Sequence, residues 1–273
     1  MQNFPPGSSS NPGQVPGVPS AFDPMRAFRI IQADPDGLSK CGLMLLISIV
    51  PLVGGFVVLG WVTYALRRAH ANVAPVFLPA PGDLGTAIDY GTQGLKAFFV
   101  SLCWTLPIVV FTMAFVGCLW FGAGATIVAG ATQGEEMGAA SMVIALLVVF
   151  GGGLTLAVFN ILVSIPAAVA TLRAELSGVL AEGFSISAVF TTVRAKFLPW
   201  VLNLLLMGLV QFGIAFLMLV PIVGIFLVGF VSQLVRGFAM LSVYEHVLVS
   251  TGTEAFPVGP LAPPSLSHLG QRA

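Results

Sequence analysis

The sequence predicts an all-α fold: a polytopic transmembrane helical bundle with about five spans, in a range of four to seven, with Pro-broken helices and an internal repeat. Composition carries the first part of this reading. Of 273 residues, 57% are hydrophobic and 8% charged, and mean hydropathy is +0.98. A soluble domain carries about 25% charged residues. Eleven basic and eleven acidic side chains are too few to cover the water-facing surface of a chain this long. The second observation is a set of long uncharged runs: Leu43 to Leu66, Ala97 to Gly134, Met137 to Leu172, and Phe197 to Val235, the last continuing past Arg236 to Tyr244. In lipid only helices and closed barrels satisfy their own backbone, and these runs lack the alternation of barrel strands.

Residues 1–21 read as a disordered tail. Pro5, Pro6, Pro12, Pro16 and Pro19 with the Ser8-Ser9-Ser10 run cannot bury enough apolar surface to order themselves. A basic segment followed by an apolar one is missing here, so the tail is not read as a signal peptide. Residues 22–33 read as an amphipathic interfacial helix. Asp23 suits a cap and Pro24 a first helical position; Met25, Phe28 and Ile31 follow at helical spacing, flanked by Arg26 and Arg29.

Residues 34–252 form the transmembrane domain. A span needs about 20 apolar residues. The first uncharged run is therefore one span, the second and third exceed one span without reaching two, and the fourth suits two spans joined near Pro221. Charge sets the threading. Arg67, Arg68 and Lys96 flank one linker and Arg173, Arg194 and Lys196 another, which places both on the cytoplasmic side, with Glu135 and Glu136 opposite. A single crossing by Leu43–Leu66 would then put Arg26, Arg29 and Lys40 on the wrong side. A re-entrant element broken at Pro51 and Gly54-Gly55 would return every basic residue to the cytoplasm. Both threadings stay open at this point. Residues 253–273 read as a flexible C-terminal tail.

The run Val50-Pro51-Leu52-Val53-Gly54-Gly55-Phe56 matches Val220-Pro221-Ile222-Val223-Gly224-Ile225-Phe226. After a one-residue deletion, Gly60-Trp61-Val62-Thr63 meets Gly229-Phe230-Val231-Ser232, and Arg67 meets Arg236. Internal symmetry of this kind is common in polytopic membrane folds; here it is read first as scaffold. Pro107 and Pro166 interrupt the second and third runs. Gly122, Thr126, Gly130, Gly134 and Gly138 recur every four residues, which fits either a smooth helix face or a glycine-rich loop.

Chemistry is scarce. His70, His246 and His268 form no HxxxH or HExxH spacing, no phosphate loop or Gly-x-Ser-x-Gly elbow occurs, and Cys41, Cys103 and Cys118 make no metal-ligand pattern. The cysteines read as small buried hydrophobes. Asp83, Asp89, Glu182 and His246 are the only groups an enzyme could recruit, and none stands at an acid–base spacing. The expectation is no catalytic residue, no cofactor and no metal. One candidate intramembrane polar cluster remains: Asn160, Asn203, Gln211, Gln233 and Arg236, since amides in lipid need partners and an intramembrane charge is functional by default. A net charge of zero gives no surface for nucleic acid.

From Asp34 to about Gly252 the chain resembles the prokaryotic membrane family called domain of unknown function 4013. The resemblance rests on Gly60-Trp61 with Arg67-Arg68, Leu78-Pro79 with Asp83, Gly94-Leu95-Lys96, Ile165-Pro166-Ala167 and Glu182-Gly183-Phe184. Trp61 stands where the family usually has Tyr, and Pro75 to Pro79 is loosened. The family is distantly similar to membrane domains that accompany bacterial glycerophosphodiesterases, for whose catalytic domain this chain leaves no room. The resemblance implies the fold and a bacterial cytoplasmic membrane, and no activity. The expected function is a non-enzymatic scaffold or accessory subunit. Its partners would be the lipid bilayer and a second copy or an envelope protein. The alternative is a transporter or channel for a small solute or lipid that uses the Pro-broken repeat.

Overall fold

The computed structural model describes residues 20–50, 53–71, 78–131, 135–219, 223–252 and 255–267. All regular structure among them is helical. Most of the 1–21 tail, together with Pro51, Pro221 and His268, falls outside the described residues.

The first helix, α1, is Arg26–Ala33. It starts later than Asp23-Pro24 suggests: Asp23 caps nothing with its side chain and instead pairs with Arg29. Met25 and Phe28 are exposed while Ala27 is buried, so α1 keeps an apolar strip of its own. The chain then turns at Asp34. Its carboxylate accepts the Lys40 ammonium at 2.7 Å, the Asp36 N–H at 3.0 Å and the Leu78 N–H at 2.8 Å. Burial alone would raise this carboxyl, but those donors outweigh it and hold it below its ordinary value.

Leu43–Leu66 is not one helix. It divides into α2 (Gly37–Ser48) and α3 (Val53–His70). At the break, a Cβ on Gly54 would lie 2.0 Å from the Ile47 carbonyl oxygen. Lys40, early in α2, donates to Leu78 O beyond the end of α3. The chain therefore leaves and returns at one end, which is the geometry of the re-entrant threading.

The second and third uncharged runs each become one helix, α4 (Leu84–Ala131) and α5 (Glu135–Ser177), with Pro107 and Pro166 inside them. Asp83 caps α4 through the Thr86 N–H at 2.9 Å. The backbone N–H and hydroxyl of Thr86 hold the Asp83 carboxyl below its usual range. Short helices α6 (Leu180–Gly183) and α7 (Ile186–Ala195) lead to α8 (Phe197–Ala215), a 3-10 turn (Phe216–Leu219), α9 (Val223–Thr251) and α10 (Pro264–Ser267).

Among the described residues four helices are long and apolar enough to cross a membrane, over Leu84–Gly130, Ala140–Ser177, Phe197–Ala215 and Phe226–Thr251. The expected count of about five thus becomes four, within its range of four to seven; the hairpin of α2 and α3 accounts for the difference. Two compact units divide the chain. One is Ser101–Ala167; the other holds the described residues up to Val100 and from Ala168 on.

In the larger unit, α3 packs on α4 antiparallel. Phe56 meets Phe98, Tyr64 meets Tyr90, and between them Gly60 and Gly94 bring the backbones together. A Cβ on Gly60 would sit 1.8 Å from Tyr90 O, and one on Gly94 1.9 Å from Phe56 O. Such contact requires glycine at both positions. The two repeat helices, α3 and α9, run parallel: Trp61 stacks on Phe230, Gly237 faces Val62 and Leu66, and His70 meets Tyr244. Trp61 and Phe230 are equivalent positions of the sequence repeat, so the two copies touch through their own counterparts. α8 and α9 pair antiparallel through Asn203 with Met240 and Gln211 with Ser232.

The smaller unit is a pair of helical segments from α4 and α5. They meet through Phe111 and Phe159, with ring centroids 4.7 Å apart, and through the Thr112 hydroxyl, which donates to Asn160 Oδ1 at 3.2 Å. Its outward side chains are almost all apolar, Trp120 (70% exposed), Phe121 (83%) and Phe150 (73%) among them. Gly122 of the small-residue stripe faces open space on α4, whereas Gly134 is outside the described residues.

Candidate functional site

Three of the charged residues that sequence reading treats as loop markers, Arg67, Arg68 and Arg173, come together at one end of the larger unit. Arg67, in the last turn of α3, is fully buried. Its Nε donates to Glu175 O at 2.6 Å, Nη1 to Pro260 O at 3.2 Å and Nη2 to Gln93 Oε1 at 3.3 Å; the Tyr64 ring lies 4.9 Å from its guanidinium carbon. Next to it, Arg68 Nε donates to Leu261 O at 3.0 Å. Arg173 of α5 pairs with the Glu182 carboxylate and lies over the Phe256 ring at 4.3 Å.

A second polar group lies where α1, α3 and α9 meet. Glu245 accepts Arg26 Nη1 at 2.5 Å and Nη2 at 3.2 Å, with His70 Nδ1 3.3 Å away. This ties the amphipathic α1 to the transmembrane helices. Arg26, His70, Arg67 and Arg68 thus share one end, joined by α3.

Residues 255–267, which the sequence assigns to a tail, cross this end. Phe256 is 3% exposed; its ring stacks on Tyr244 with centroids 3.9 Å apart, and its N–H donates to the Tyr244 hydroxyl oxygen at 2.5 Å. The Gly259 N–H donates to Leu176 O at 2.8 Å. Further on, the Ser265 N–H donates to Asp89 Oδ2 at 3.1 Å, and its hydroxyl lies 3.1 Å from that of Thr86. The Leu78-Pro79-Ala80 loop is fixed likewise: Trp61 Nε1 donates to Pro79 O at 2.9 Å and the Tyr90 hydroxyl to Ala80 O at 2.6 Å. Trp61, the departure from the family pattern, keeps a donor for that carbonyl.

The five residues of the intramembrane polar cluster are dispersed. Asn160 belongs to the Ser101–Ala167 unit and the other four to the larger one. Asn203 is buried, with its amide NH₂ donating to Met240 Sδ at 3.3 Å, while Gln211 Oε1 accepts the Ser232 hydroxyl at 2.6 Å. Gln233 lines a cavity of about 130 Å³ with Ser48, Gly55, Val58, Phe226, Gly229 and Phe230. Arg236 is exposed on α9, whereas its repeat counterpart Arg67 is buried. Among the described residues no hydrogen bond joins any two of the five. Three buried polar atoms there are unpartnered: Trp200 Nε1, Asn203 Oδ1 and Gln233 Oε1.

The four groups available to an enzyme do not converge. Asp83 and Asp89 hold Thr86 and Ser265, Glu182 holds Arg173, and His246 follows Glu245 on α9. Among the described residues no three His, Cys, Asp or Glu gather as a metal site. The cysteines are not buried, contrary to expectation: Cys41 and Cys103 are half-buried and Cys118 exposed. Long apolar helices leave little interior for them to occupy.

The model of the family described as protein of unknown function (DUF4013) matches residues 43–228, and the chain belongs to that family. No curated protein matches the chain, and no solved structure does.

Proposed function

We propose that this membrane protein is a non-enzymatic scaffold or accessory subunit of the bacterial cytoplasmic membrane, with its arginine-rich end on the cytoplasmic side. The carrying observation is the contrast between the two units. In the larger, charged groups are spent on internal partners: Arg26 on Glu245, Lys40 on Asp34, Arg173 on Glu182. In the smaller, the Thr112 hydroxyl bonds Asn160 between segments whose described outer faces are apolar over most of their surface. Such faces take lipid or another helix, and packing rather than hydrophobic drive decides between them. The family match fits this reading and assigns no chemistry.

The hairpin supports this sidedness. Because α2 and α3 return to one end, Arg26, Lys40, Arg67 and Arg173 all satisfy the rule that keeps basic residues cytoplasmic. The transporter alternative needs a polar midplane path lined by Asn160, Asn203, Gln211 or Gln233. The Asn203 NH₂ and the Gln211 Oε1 bond between α8 and α9 rather than facing a common path, and this favours the scaffold.

Purification in mild detergent tests the proposal: a stable partner or homo-oligomer is the expected result. A lone monomer, together with solute flux in reconstituted vesicles, would overturn it in favour of transport.

A further inference from the structure

Arg67 is a deeply buried cation. Arg26, Arg29, Lys40 and Arg173 each have a carboxylate within ion-pair distance. Arg67 is more buried than any of them, yet among the described residues no carboxylate lies within 4.0 Å of it. The Glu175 carboxylate acts on it only from further out. Its acceptors are two backbone carbonyls and one amide, all neutral. A buried charge is normally paired, and a guanidinium bonds an anionic oxygen roughly twice as strongly as a neutral one.

One of these acceptors, Pro260 O, belongs to a short segment that also serves Arg68. Consecutive carbonyls, Pro260 O and Leu261 O, take consecutive arginines, Arg67 and Arg68, and Phe256 covers the guanidinium of Arg173. The segment lies close because of Gly259, where a Cβ would stand 2.4 Å from Ser177 O and 3.4 Å from the Arg67 guanidinium carbon. Arg67 and Arg68 also close the uncharged run of α3, the position at which basic side chains meet lipid headgroups.

We propose that Arg67, Arg68 and Arg173 form a phosphate-oxyanion site and that residues 256–261 occupy it from within the chain, their carbonyls standing where phosphate oxygens would bind. The ligand is a phosphate group, carried by an anionic lipid headgroup or by a free phosphate. The planar fork of arginine suits either. Glu182 already neutralises Arg173 in part, and Glu175 opposes the anion from further out, so Arg67 is the principal source of attraction. This inference does not depend on the scaffold reading.

The test uses the full chain in detergent. Gly259→Val wedges the segment away from Ser177, and Phe256→Ala removes its anchor; protease cleavage at Leu261 reports release. Native mass spectrometry then compares retention of phosphatidylglycerol with phosphatidylcholine, and ³¹P line broadening follows inorganic phosphate. The released variants should gain about tenfold in affinity for one probe, and adding Arg67→Gln or Arg68→Gln should abolish the gain. Retained phosphatidylglycerol without phosphate broadening identifies a lipid headgroup, and the reverse a soluble phosphate. Release without any gain overturns the proposal, as does a gain that survives both arginine substitutions. It also fails if neither substitution opens Leu261 to protease, because a segment that cannot be displaced hides no site. Should Gly259→Val lose its thermal transition, Phe256→Ala decides.

Discussion

At the residue scale, repeat equivalence does not mean equal tolerance. Gly60 and Gly229 occupy matching positions, but Gly60 is pressed on the α4 backbone and Gly229 has nothing within 4 Å of its would-be Cβ. Gly60→Leu should therefore cost more than about 3 kcal/mol, since backbone cannot yield as a side chain can. Gly229→Ala should be neutral or gain up to about 1 kcal/mol from helix propensity. Thermal unfolding in detergent separates the two. Asp34 gives a pH-dependent counterpart. Its folded carboxyl is held below its unfolded value of about 4, so its contribution is complete above that pH and is lost as pH falls through the folded value. Melting temperature should hold from neutral pH to about pH 5 and decline below about pH 4. Asp34→Asn should flatten that decline, and an unchanged acid limb in the variant would contradict the assignment. Arg67→Lys should destabilise by about 2–4 kcal/mol, because one ammonium cannot serve Glu175 O, Pro260 O and Gln93 together.

At the element scale, the α2–α3 hairpin predicts an accessibility pattern that one crossing would not. With the native cysteines replaced, Asp36→Cys should react with an impermeant maleimide only after the cell membrane is opened. Glu135→Cys should react in intact cells. Labelling of Asp36→Cys from outside would restore the single-span threading. In the smaller unit, Asn160→Ala should weaken the pairing of its two segments by about 0.6 kcal/mol, the usual size of a helix–helix hydrogen bond in membranes. Much of the element pattern was legible in advance. Long uncharged runs pointed to the helices, and Pro51 with Gly54-Gly55 offered a break as one of two threadings. The start of α1 was not legible. Asp23-Pro24 is a good local signal, but the Asp23 side chain finds Arg29 instead, and tertiary contacts outweigh a propensity of that size.

At the scale of the whole molecule, the arginine end was hidden for a physical reason. An arginine at the end of an uncharged run looks the same in sequence whether water or protein surrounds it. Arg67 and Arg236 are matched by the repeat, yet one is buried and the other exposed. The last segment was hidden too: Pro, Gly and Ser signal disorder by composition, while Phe256 is held by Tyr244 on the preceding helix and by Arg173, far from it in the chain. The parallel course of α3 and α9 carries one more consequence, a rule of parity. Two copies of a helix can point the same way only if the chain reverses direction an even number of times from one to the other, which takes an odd number of helices between them; α4, α5 and α8 are those three, with four reversals. Losing α4 and α5 together would leave α9 pointing as it does. Losing either alone would turn it over and part Trp61 from Phe230, so these two helices can be gained or lost only as a pair.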